Sequence, residues 1–211
     1  MSDPPLPEPR RPDPNDQVRP AALVLLAVAE PPLDERRPWL ERADLVDACS
    51  VPGADTPIYL TADGVAITTT GIGKSDAATT TTALLASPGL DLESVYVLSA
   101  GIAGGPPSRA ALGSVVLADA VVDWDRKHRW DRDGVDDQRT DDPAESIDTL
   151  AYRPRDYVYR LEERLLEPAL DAAERVPLEK DPEIRASQRR YPDATDSGPT
   201  VGTGTVSYTH L

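Results

Sequence analysis

Residues 67–119 read ITTTGIGKSDAATTTTALLASPGLDLESVYVLSAGIAGGPPSRAALGSVVLAD, and this stretch limits the possible folds more than any other. An apolar strand expected over 65–69 runs into Gly71-Ile72-Gly73, and a small-residue helix then carries on to 87. Pro88-Gly89 ends that helix. A second apolar strand over 95–100 enters Gly101-Ile102-Ala103-Gly104-Gly105, and a third over 114–122 follows Leu112-Gly113. Short apolar runs alternating with a helix indicate an α/β sheet with parallel pairing. Two successive strands end in glycine turns that bare backbone N–H groups. In an open α/β sheet such a place receives a small anionic or polyhydroxy ligand.

Two nucleotide signatures come close and fail. Gly71-Ile72-Gly73-Lys74-Ser75 has the ending of a P-loop, but the first glycine of that motif would stand at Thr68. The dinucleotide fingerprint would need its third glycine at Asp76. What remains is a tight strand-to-helix turn at Gly71 and Gly73, which either serves the chain alone or lines a ligand cleft. The turn over 101–105 points more clearly to a cleft, because four of its five residues are glycine or alanine. A simple turn needs fewer, and small residues let a ligand approach the backbone.

The rest of the chain is organised around these units. Residues 1–19, rich in proline and charge, have little to bury and are expected to be a disordered tail. A domain is expected over 20–206. Residues 23–29 read as its first strand and 37–46 as a short helix with Pro38 in its first turn. The pairs 58–60 and 65–69 flank Ala62-Asp63-Gly64 and read as a hairpin. Residues 123–154 read as a long charged loop that includes Trp124, His128 and Trp130. A helix is expected from Asp156 through Val158 to Val176, kinked or split at Pro168. A helical turn over 185–191 and a strand over 200–206 complete the reading.

The chain is acidic, with a net charge of −15 and a pI near 4.5, carried by 25 Asp and 12 Glu against 19 Arg and 3 Lys. Such a field repels nucleic acid and anionic membrane surfaces. Depleted lysine, abundant Asp and Thr and the absence of Phe fit a salt-adapted cytoplasm. The lone Cys49 cannot close a disulfide within the chain, and no His/Cys/Asp spacing suggests a metal site. The longest apolar run, 21–29, has nine residues where a membrane-spanning helix needs about 20. It lacks a basic leader and a small-residue cleavage site, so it reads as a buried strand.

The motifs Thr70-Gly71-Ile72-Gly73-Lys74, Ala100-Gly101-Ile102-Ala103-Gly104-Gly105 and Leu112-Gly113-Ser114-Val115-Val116 resemble those of the nucleoside phosphorylase and nucleosidase superfamily. Ala-Gly-Ile-Ala-Gly, Pro38-Trp39-Leu40 and the segment 87–92 look most like its purine nucleoside permease branch. The resemblance implies an α/β three-layer sandwich around a central mixed sheet. It implies cleavage of a purine nucleoside's N-glycosidic bond, with orthophosphate as a possible co-substrate and no other cofactor. Binding of a nucleoside for uptake, without chemistry, is the alternative, and the parent protein would be a homo-oligomer in the cytoplasm.

By the same resemblance Glu35 would position an attacking water. Gly71, Ile72, Gly73, Ala100, Gly101, Ile102, Ala103, Gly104, Gly204 and Thr205 would line the ligand. Phosphorolytic members offer an Arg and a hydroxyl where this chain has Ser99 and Ile102, which disfavours bound phosphate. The superfamily continues past the last strand with a ribose-gripping Glu and a base-protonating Asp, and neither segment stands in these residues. The expectation is therefore a C-terminally truncated, inactive chain with an apolar sheet face or edge exposed, and with a linker-like tail over 207–211.

Overall fold

The strand Ala22–Leu26 (β1) is apolar along its whole length because both its faces are covered. Leu23 and Leu25 point to one side of the sheet, and Val24 and Leu26 point to the other. A parallel strand enclosed in this way reads as a continuous apolar run, not an alternating one. The computed structural model describes residues 6–123 and 158–208. The chain falls into two units, residues 1–103 and residues 104–211.

The first unit holds a five-stranded sheet in the order β2-β3-β4-β1-β5. Its other strands are Leu45–Cys49 (β2), Ile58–Thr61 (β3), Val65–Thr69 (β4) and Tyr96–Ser99 (β5). β4 and β5 both run parallel to β1, on opposite sides of it. β2, β3 and β4 form an antiparallel meander, and Gly64 at φ +85° makes the tight β3–β4 turn. One face carries Leu84 of the helix Lys74–Ala86 (α2) over Leu23, Leu25, Ile58 and Ala66. The other carries Leu40 of the short helix Arg37–Leu40 (α1) over Val24, Leu26, Tyr59 and Ile67. α1 is shorter than expected. Leu45 and Val46, read as its last turn, belong to β2, where Leu45 pairs with Thr61 of β3.

α2 holds a run of threonines, which crowd a helix at Cβ. Their hydroxyls bond locally. Thr79 Oγ1 donates to the Ser75 carbonyl one turn back at 2.9 Å, and Thr80 Oγ1 donates to the Thr70 carbonyl at 3.1 Å. The segment before β1, expected to be a disordered tail, makes backbone bonds to this unit. The Arg10 N–H donates to the Ala48 carbonyl and the Val18 N–H to the Gly89 carbonyl, while Arg10 pairs with Asp47 at 2.6 Å. β5 is an edge strand of the sheet, and its Tyr96, Val97 and Leu98 are exposed.

The second unit has a three-stranded sheet in the order β7-β6-β8, made by Val115–Asp123 (β6), Val158–Arg160 (β7) and Val201–Tyr208 (β8). β6 is parallel to β8 and antiparallel to β7. A bulge between Ala118 and Ala120 leaves Asp119 outside the β6–β8 ladder, and the Thr205 hydroxyl donates to its carboxylate at 3.2 Å. Val158, read as the opening of a helix, lies in β7 opposite Val122. The helix begins at Glu163 and runs unbroken through Pro168 to Glu174 (α3). Pro182–Gln188 (α4) starts with Asp181, whose carboxylate accepts from the Glu183 N–H at 2.7 Å. The fold is thus mixed α/β, with two mixed sheets in place of the one central sheet expected. Of the loop expected over 123–154, Asp123 belongs to β6, and the rest, with Trp124, His128 and Trp130, lies outside the described residues, as does His210.

Candidate functional site

Because β4, β1 and β5 are parallel, their carboxyl ends share one rim of the sheet. The chain leaves β1 for β2, comes back through β3 to β4 on the same side, and then crosses to β5 on the other. β1 is therefore the strand where the direction of winding reverses, the place where open α/β sheets take ligands. The glycine turn after β4 and the one after β5 stand on either side of the loop that follows β1. The two turns close strands that follow one another in sequence, and in the sheet they flank β1. Gly104 belongs to the second unit.

Each turn has its own physical reason. Gly71 and Gly73 have φ of +87° and +88°, values that side chains rarely adopt. A Cβ on Gly71 would also meet the Asp76 Cβ at 2.8 Å. Thr70 anchors this turn, with its N–H donating to the Leu26 carbonyl at 2.7 Å. Gly73 stands at the N-cap of α2, so the helix begins at this rim. Gly101 is glycine for a different reason. An added Cβ would lie 2.8 Å from the Glu35 carboxylate.

Glu35 holds the middle of the rim together. Its Oε2 accepts from the N–H groups of Ala27 and Val28 at 3.1 and 3.3 Å, and its Oε1 accepts from the Ile102 N–H at 2.8 Å. The Glu35 N–H returns to the Val28 carbonyl at 3.1 Å. Beside it, Asp34 accepts from the N–H groups of Arg36 and Arg37 and so starts α1. The Arg36 guanidinium lies 5.6 Å above the Tyr59 ring, and its Nε is buried with no hydrogen-bond partner among the described residues. At the tips of the two turns, Ile72 and Ile102 are 73% and 72% exposed. The rim thus joins the N-terminus of α2 to two exposed alkyl side chains.

Gly204 and Thr205, also expected to line the ligand, belong to the second unit. They lie in β8, within the strand expected over 200–206, with Gly204 opposite Ala118 and Thr205 opposite Ala120. A hollow of about 670 Å³ opens at the opposite rim of the first sheet, between α1 and the β3–β4 turn, and is lined by Trp39, Arg42, Asp44, Asp63 and Val65 among others. Asp44 and Asp63 are exposed there. The rim around β1 is the better candidate, because two glycine turns and the N-terminus of α2 meet there at the strand where winding reverses. Ala27 and Val28 are rim residues that sequence reasoning missed; the one hint was that the apolar run continues past β1 in small residues. Among the described residues, no group of His, Cys, Asp and Glu could hold a metal ion, and no helix is long and apolar enough to cross a membrane.

The profile of the purine nucleoside permease (NUP) family matches residues 21–209. The chain belongs to this family. A protein named purine nucleoside permease from Candida albicans is 30% identical over 182 residues, which cover 76% of this chain and 43% of the relative, and its counterpart in strain SC5314 matches equally. A protein of Schizosaccharomyces pombe named "Probable purine nucleoside permease" is 51% identical over 57 residues, 27% of this chain. The chain spans less than half the length of the Candida relatives it matches.

Proposed function

We propose that this family member binds a purine nucleoside at the rim around β1, in the service of nucleoside uptake. The observation that carries this reading is the meeting of two glycine turns and a helix N-terminus at the strand where winding reverses. A helix N-terminus suits the hydroxyls of a ribose, and the exposed side chains of Ile72 and Ile102 suit the flat apolar face of a base. The names of the relatives supply the class of ligand. Orthophosphate fits less well, because residue 102 presents an alkyl chain where a phosphate ligand would need a donor.

Calorimetric titration of the full chain with inosine tests the proposal. Ile72→Asp and Ile102→Asp change exposed side chains, which leaves stability within about 0.5 kcal/mol, and each should weaken binding about tenfold or more. Trp39→Ala, in the hollow at the opposite rim, should leave affinity unchanged. Loss of binding in Trp39→Ala alone would move the site to that hollow. Chromatography of the same mixtures, with and without phosphate, should show intact inosine. Release of hypoxanthine would make N-glycosidic cleavage, and not binding for uptake, the function.

A further inference from the structure

The geometry points to Glu35 as a positioning residue that sets the shape of the nucleoside cleft. This role rests on the binding reading above. A carboxylate has two oxygens that only accept, and here both are used by backbone donors. One oxygen serves the chain leaving β1, and the other serves the turn leaving β5, 67 residues later in sequence. Glu35 is thereby a clasp between two of the three strand ends that form the rim. Hydrogen bonds to an ionised acceptor are roughly twice as strong as neutral ones, which suits a group holding otherwise irregular backbone.

Gly101 completes the device, since a Cβ there would lie 2.8 Å from the carboxylate and push it from its place at the Ile102 N–H. The clasp also fixes the direction of the Ile102 peptide, whose exposed side chain forms one wall of the cleft. With its oxygens so engaged, Glu35 shapes the pocket through Ile102 and the loop over 27–28.

The chemistry dictates the test. Glutamine has one acceptor oxygen and a donor –NH₂ in place of the second, so Glu35→Gln can satisfy one side of the clasp and not both. Hydrogen–deuterium exchange followed by mass spectrometry, on the full chain without ligand, should show faster exchange in peptides covering 27–28 or 102 in Glu35→Gln, with α2 and β4 unchanged. Inosine affinity of Glu35→Gln should fall roughly tenfold, about the worth of one charge-assisted hydrogen bond.

Gly101→Ala and Glu35→Ala provide a second handle. Gly101→Ala should weaken inosine binding strongly in the wild-type background. In the Glu35→Ala background it should change little, because the carboxylate it collides with is gone. Additive effects in this cycle, or unchanged exchange at 27–28 and 102, would overturn the clasp. Faster exchange with undiminished affinity would overturn the positioning role. If the wild-type chain fails to bind inosine while the exchange result holds, the binding site is refuted and the clasp survives as architecture.

Discussion

At the scale of single residues, the rim depends on a few groups whose replacement has a calculable direction. Gly71 combines a left-handed backbone with close approach to Asp76. A side chain in that conformation costs about 1–2 kcal/mol, and the contact adds to it. Gly71→Ala should lower the urea midpoint by the equivalent of about 2 kcal/mol or more. Gly104 has open space where a Cβ would stand, so Gly104→Ala should stay within about 0.5 kcal/mol. Cys49, fully buried against Leu23 and Ile58, gives a pH signature. Burial pushes its thiol up, the Asp47 carboxylate adds to this, and Arg10 opposes it. The unfolded thiol ionises near about 8.5, so the stabilising contribution is complete below that pH and is lost as pH rises through the higher folded value. The urea midpoint should therefore fall more steeply above about pH 8.5 in the wild type than in Cys49→Ala. Parallel slopes would contradict burial of the thiol.

At the scale of elements, α3 carries a test of its own. Pro168 is its sixth residue, where it lacks the N–H that would reach the Arg164 carbonyl. Proline inside a helix costs up to about 3 kcal/mol relative to alanine, partly offset because it stiffens the unfolded chain. Pro168→Ala should raise the denaturation midpoint of the second unit and increase helical circular dichroism. A loss of stability would mean that the proline ring itself packs usefully. Which elements the sequence reveals follows from how local their causes are. β1, the β3–β4 hairpin and α2 are legible because a continuous apolar run, an Asp-Gly turn and a glycine turn with its helix are each written in adjacent residues. Leu45–Val46 and Val158 were misread as helix, since a short apolar run has no period and partners far along the chain decide its state. At the rim the two glycine turns were legible, whereas the bond from Ile102 to Glu35 leaves no local trace. The strand expected over 200–206 was legible despite Gly202 and Gly204, and it pairs with β6 as β8.

At the scale of the whole molecule, charge decides how the chain responds to its medium. Its 37 acidic and 22 basic residues leave an excess of negative charge that repels itself in the folded state. Favourable pairs exist as well, such as Arg10–Asp47, Arg19–Asp91 and Arg37–Glu41. They are exposed, and such pairs contribute about 0–1 kcal/mol each. Added salt weakens both kinds of interaction, so the sign of its effect depends on which is larger. With a net charge of −15 the repulsion dominates. Screening shortens from a range of about 30 Å at 0.01 M to about 3 Å at 1 M, which removes most repulsion between separated carboxylates. The melting temperature at neutral pH should therefore rise between dilute buffer and molar potassium chloride. Lowering the pH toward the isoelectric value near 4.5 removes the excess charge and leaves mainly the attractive pairs. The same addition of salt should then have little effect or a destabilising one. A rise in melting temperature of equal size at both pH values would assign the effect to general exclusion of salt from the protein surface, and the charge argument would fail.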